Sequence, residues 1–171
     1  MKRSLFALVA LLGVLTARAD DPALVPLQLS ICPPVQLMQE DTDIIGLKLN
    51  LPYGYNRSVR GFDLGVVGGA ENCETIQINL FNIVPGRARG LSGGLINLMG
   101  SCEGVQVGTF NFIEEDLVGM QVGTLNVARK VTGVQIGLVN YCDELWGMQI
   151  GLANIAGDAP LPFTVLVNAS F

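Results

Sequence analysis

The sequence predicts an all-β fold of about ten short strands, and three observations carry that prediction. A nine-residue phrase recurs along most of the chain at a spacing of 14 or 15 residues. Within each copy, apolar side chains alternate at a period of two with glycine, glutamine and asparagine, which is a strand pattern rather than a helical one. Clusters of proline, glycine and charged residues separate the copies, as turn chemistry does.

The phrase is clearest as GVQIGLVNY at 133–141 and returns as GMQIGLANI at 147–155, GMQVGTLNV at 119–127 and GVQVGTFNF at 104–112. Looser copies lie upstream: GLSGGLINL at 90–98, TIQINLFNI at 75–83, GFDLGVVGG at 61–69 and GLKLNLPYG at 46–54. A last copy, LPFTVLVNA, occupies 161–169. The repeats therefore start near 46, 61, 75, 90, 104, 119, 133, 147 and 161. A period of this length means one supersecondary unit copied along the chain.

Taken in order, residues 1–19 read as a secretory signal peptide. Lys2 and Arg3 give a basic start, Leu5 to Thr16 an apolar stretch, and Ala17-Arg18-Ala19 a small-x-small cleavage site. Residues 20–171 then form a single β-repeat domain. Its lead-in holds one strand, Leu24 to Ile31, stopped by Cys32-Pro33-Pro34, because proline has no amide hydrogen to give to a ladder. A polar, acidic stretch from Gln39 to Asp43 follows, and from Ile44 onward the repeats take over. PYGYNRS (52–58), PGRAR (85–89) and GDAP (157–160) read as turns, as do Glu114-Glu115-Asp116, Arg129-Lys130 and Asp143-Glu144.

Inside the copy at 133–141, Val134, Ile136 and Leu138 point one way, and Gly133, Gln135 and Gly137 the other. Two glycines per copy would cost a helix about 1 kcal/mol each. At Leu138-Val139-Asn140-Tyr141 the apolar set changes face. Two assemblies fit such units. One is an antiparallel meander closed into a small β-barrel, with Val134, Ile136, Leu138, Met148, Ile150 and Leu152 facing lipid and Gln135 and Gln149 inside. The other is a parallel β-solenoid with one coil per copy, in which like stacks on like. Gln77, Gln106, Gln121, Gln135 and Gln149 would then form one ladder, and Asn82, Asn97, Asn111, Asn126, Asn140, Asn154 and Asn168 another. A solenoid corner accounts for the change of face, whereas a barrel needs a bulge there. The final strand, Phe163 to Phe171, is amphipathic and ends on an aromatic. It resembles the closing strand of bacterial outer-membrane barrels, with Phe171 as a C-terminal assembly signal, and so favours the barrel.

The lead-in Pro34-Val35-Gln36-Leu37, the run GLKLNLPYGYN (46–56) followed by GFDLG (61–65), the tandem GxQxGxxN units and the ending from Pro162 to Phe171 resemble a family of uncharacterised bacterial surface-repeat proteins. The resemblance implies export and an envelope or surface location, and carries no activity or cofactor with it. Lys48, Asp63 and Ser92 depart from the pattern, standing where the repeat usually has glutamine.

The chemistry of sites is sparse. The chain has no histidine, which removes the commonest general base and every Ser-His or Cys-His nucleophile. Without the signal peptide, seven basic groups face fifteen acidic ones, a net charge near −8, so nucleic acid is not an expected partner. The acidic turns read as solvated rather than metal-binding. Cys73 and Cys102 fall at the same phase two copies apart; a bridge between them is weighed against buried free thiols, because strands two apart lie about 10 Å from each other. Trp146 and Tyr141 fit interfacial anchors or caps on a core edge. The expected function is non-enzymatic, without cofactor or metal: a structural component of the cell envelope in contact with outer-membrane lipid and barrel-assembly machinery, or a secreted or surface-attached solenoid acting as an adhesive module. Gln106, Gln121, Gln135, Gln149, Asn111, Asn126, Asn140 and Asn154 are the positions on which either architecture rests.

Overall fold

A computed structural model describes residues 25–32, 35–37 and 39–171; the expected signal peptide lies outside them. The described chain is all-β, without a helix. It has a lead-in strand β1 (Val25–Cys32), a two-residue β2 (Val35–Gln36), one very long strand β3 (Asp43–Ala156) and a final strand β4 (Phe163–Ser170). These form one open sheet in the order β2-β1-β3-β4. The expectation of about ten separate strands is thus corrected to three long ones, and no barrel closes.

The geometry of β3 follows from one comparison of lengths. Fourteen residues of straight strand span about 46 Å, yet Asn126 Nδ2 lies 2.8 Å from Asn140 Oδ1. The strand therefore winds back onto itself once per 14–15 residues. Partners such as Asn97 and Asn111, Gln106 and Gln121, and Gln135 and Gln149 keep a constant difference in number of 14 or 15. A constant difference means parallel neighbours, whereas hairpins give a constant sum. The winding is that of the parallel solenoid, and the antiparallel meander is excluded for this segment.

The stretches expected as hairpin turns are extended backbone within β3, including 52–58, 85–89, 114–116, 129–130 and 143–144. Direction changes at corners instead. Gly133 sits at φ 141°, outside the range L side chains adopt, and a Cβ there would collide with the carbonyl oxygen of Gly119 one coil below. Gly147 meets Gly133 in the same way. A second corner lies at Leu138-Val139, where two consecutive side chains are both exposed. Here the change of face read in the sequence is accounted for.

Four columns of side chains fill the coil. Two are apolar and lie under the charged edge: Val59, Cys73, Ala88, Cys102, Leu117, Val131 and Leu145 in one, and Ala70, Val84, Met99, Ile113, Ala128, Cys142 and Ala156 in the other. The other two are the glutamine and asparagine columns, as buried as the apolar ones. Burying an amide without partners costs about 1–3 kcal/mol, and stacking like on like removes that cost along the axis.

The ends are different strands. β1 stacks in parallel beneath the first coil, pairing Leu27 with Leu47 and Ser30 with Asn50. A turn at 157–162 then reverses the chain, and β4 runs antiparallel to the last coil, pairing Gly147 with Ser170 and Ile150 with Val167. The copy at 161–169 is therefore not a further coil. Asn168 lies opposite Gln149 and donates to the Leu161 carbonyl at 3.2 Å, so the asparagine ladder ends at Asn154.

Candidate functional site: an apolar edge over a polar interior

Of the glutamines and asparagines singled out in the sequence, all but Asn168, which is buried on β4, are buried inside the coil. Gln149 donates to Gln135, Gln135 to Gln121 and Gln121 to Gln106, at 2.7–2.9 Å. Asn111 donates to Asn126, Asn126 to Asn140 and Asn140 to Asn154, each at 2.8 Å. The two walls are also tied across the coil. Gln135 Nε2 reaches the Tyr141 carbonyl at 3.3 Å, and Asn140 Nδ2 reaches the Ile150 carbonyl at 3.0 Å. These backbone acceptors fix which end of each amide is the donor.

The side chains alternating with these amides point outward, and they are aliphatic. Ile136 and Leu138 straddle Gly137, and Ile150 and Leu152 straddle Gly151; Leu138 is 52 % exposed and Leu152 61 %. Val134 and Met148, expected on the same outer face, are half-buried. One row of Ile78, Val107, Val122, Ile136 and Ile150 and another of Thr109, Thr124, Leu138 and Leu152 flank an open groove of about 1170 Å³ along the coil axis. Glycines 94, 108, 123, 137 and 151 lie between the rows, and Leu166 and Val167 of β4 close the far end. No charged residue lines it.

The opposite edge carries the charges, paired one coil apart. Arg57 meets Asp43 at 2.8 Å, Arg89 meets Glu103 at 2.7 Å and Glu74 at 3.4 Å, Arg129 meets Asp116 at 2.8 Å, and Lys130 meets Glu144 at 3.3 Å. The hydrogen bond from Arg57 holds the Asp43 carboxyl below its ordinary value. Such exposed pairs contribute little stability. Their alternating sign along the axis still favours the observed stacking over one shifted by a coil. Between the two edges stand Tyr141 and the exposed Trp146, and the Tyr141 hydroxyl donates to Asp143 at 2.8 Å.

The remaining expected positions fall as follows. Cys73 and Cys102 are free, buried thiols in one apolar column, one coil to either side of Ala88, so the bridge their shared phase allowed is not formed. Phe171 follows β4 at the chain end, 80 % exposed. Its reading as an assembly signal rested on a closing barrel strand, and the sheet is open. The sequence reading missed one interior feature, a buried Lys48–Asp63 pair with Nζ–Oδ2 of 3.8 Å. Its signal was present: opposite charges at the glutamine phase of two consecutive copies.

The chain matches no protein-family model, no curated protein and no solved structure. The likeness to surface-repeat proteins therefore rests on the sequence motifs alone.

Proposed function

We propose that the protein is an exported, non-enzymatic component of the cell envelope that lies on a lipid surface, its apolar edge in the hydrocarbon and its charged edge in water. One observation carries this reading: isoleucine, leucine and valine face outward directly over buried amides. A water-exposed solenoid wall would be expected to carry the reverse arrangement, because hiding aliphatic surface is what drives burial. Tyr141 and Trp146, between the two edges, suit the level of the headgroups. The coil rests on the bilayer rather than crossing it, since an open sheet leaves backbone groups at β1 and β4 that hydrocarbon cannot satisfy.

Flotation tests this. The chain from Asp20 onward, mixed with phosphatidylethanolamine–phosphatidylglycerol vesicles, is expected to float with them and to stay bound at high salt, because apolar contact is not screened. A Leu138→Asp/Leu152→Asp variant alters only exposed positions, so it keeps the strand signature in circular dichroism and sinks. Wild-type protein that stays in the soluble fraction at every salt concentration overturns the lipid reading and favours a soluble adhesive module that binds an apolar protein partner.

A further inference from the structure

We propose that Lys48 and Asp63 condense once the coil has formed, joining the first coil to the second through an isopeptide bond between Nζ and Cγ. Both side chains are fully buried, and they stand one above the other at the glutamine phase of consecutive copies. Nζ lies 3.8 Å from Oδ2, a contact that no hydrogen bond closes. Lys48 instead donates to the carbonyls of Gly54, at 3.2 Å, and Gly69. An ammonium has three hydrogens to place, and a neutral amine has two. Two carbonyl acceptors therefore suit the amine, whose lone pair is left for the carboxyl beside it. Burial works in the same direction, holding the Lys48 ammonium below its ordinary value against the opposing pull of Asp63.

The surroundings of Asp63 prepare the other partner. Oδ1 accepts from Nδ2 of Asn50 and, at 3.3 Å, from Nδ2 of Asn79, so two amide donors converge on one carboxyl oxygen. Donors so placed stabilise the negative charge that an attacked carbonyl develops. Oδ2, on the Lys48 side, accepts from Gln77 at 3.3 Å and is the oxygen that leaves. The step balances without a co-reactant. One proton passes from the ammonium to Oδ2, which makes the reacting pair an amine and a carboxylic acid. The Nζ lone pair forms the bond to Cγ, the Cγ–Oδ2 bond breaks, and Oδ2 departs as water with a second proton from Nζ. Nothing is oxidised or reduced. The product is neutral, so condensation removes two charges from an interior where each is costly. The fold also holds amine and acid together, which replaces the encounter that the free groups would need.

Intact-mass spectrometry of the folded chain from Asp20 onward tests this, with the same chain purified and kept in denaturant as the unfolded reference. After incubation at neutral pH the folded protein is expected to weigh one water less than its sequence, about 18 Da, and the reference to show the full mass. Digestion with trypsin should then leave the chain uncut after Lys48 and join the peptide ending at Arg57 to the one beginning at Gly61. A protein that shows its strand signature in circular dichroism, keeps the full mass for days and is cut after Lys48 overturns the proposal and leaves an ion pair. A loss of water mapped to any other residue, or found equally in denaturant, overturns it too.

Discussion

Gln149 donates its Nε2 hydrogen to Gln135 Oε1 at 2.8 Å, toward the start of the chain, while a few residues away Asn140 donates to Asn154 Oδ1 at 2.8 Å, toward its end. Two amide ladders thus run side by side in opposite senses through one coil. Their dipoles oppose, so the interior gains the cooperativity of a hydrogen-bonded chain without accumulating a net dipole along the axis.

Removing one rung should expose the cost of the ladder. Gln135→Ala deprives Gln121 Oε1 of its donor and leaves a cavity between two coils. A loss of at least about 2 kcal/mol is expected from an unsatisfied buried acceptor and the lost packing. Urea denaturation followed by circular dichroism measures it. A change within error would mean that the ladder contributes shape rather than stability.

The corner glycines should be intolerant. Gly133→Ala forces a Cβ onto the Gly119 carbonyl oxygen at a φ of 141°. Backbone strain alone costs about 1–3 kcal/mol, and the collision adds to it. Gly157→Ala in the turn before β4 is the control, since its added Cβ would meet the Asp143 carbonyl at 3.1 Å with no unusual φ. The denaturation midpoint should fall much further for Gly133→Ala.

The buried thiols give a pH signature. Burial pushes Cys73 up to about 11, and Cys102 and Cys142 up to about 12, from the usual 9.0. Above pH 9 the unfolded chain releases thiol protons that the folded chain keeps. The stability tied to these groups is therefore intact below pH 9 and is lost as pH climbs through 11 to 12. Iodoacetamide at pH 8 should leave all three unlabelled until the chain is denatured, as read by peptide mass mapping. A Cys73→Ala/Cys102→Ala/Cys142→Ala variant should show a flatter decline in stability across that window.

Deleting Phe171 should change little. The residue is 80 % exposed, and β4 pairs with the last coil through Gly147–Ser170 and the positions before it. Tm, strand content and exported yield are expected at wild-type values. A collapse in yield with the fold intact would restore to Phe171 the assembly role that its resemblance to a closing barrel strand suggested.

Much of this arrangement was legible residue by residue. The alternation in 133–138 put Gln135 on one face and Ile136 and Leu138 on the other, and the structure keeps them there. The shared phase of Gln106, Gln121, Gln135 and Gln149 gave the ladder its members. The lead-in strand ends at Cys32, where the prolines begin. Other parts were hidden because they depend on unlike residues meeting. Lys48 and Asp63 looked like two separate departures from a motif until the coil set one above the other. Asn168 shared the asparagine phase, yet the turn at 157–162 reversed its strand and took it out of the column.

The sequence by itself determined that this chain is β throughout, which side chains share a face, and at what interval like residues return. Only the tertiary structure decided whether neighbouring copies run parallel or antiparallel. The physical reason is that a period of two describes the two faces of one strand and is unchanged when the adjoining strand is reversed. The choice is made by hydrogen bonds between coils: buried amides at a fixed separation of 14–15 residues complete one another when each turn of the chain lies directly over the last.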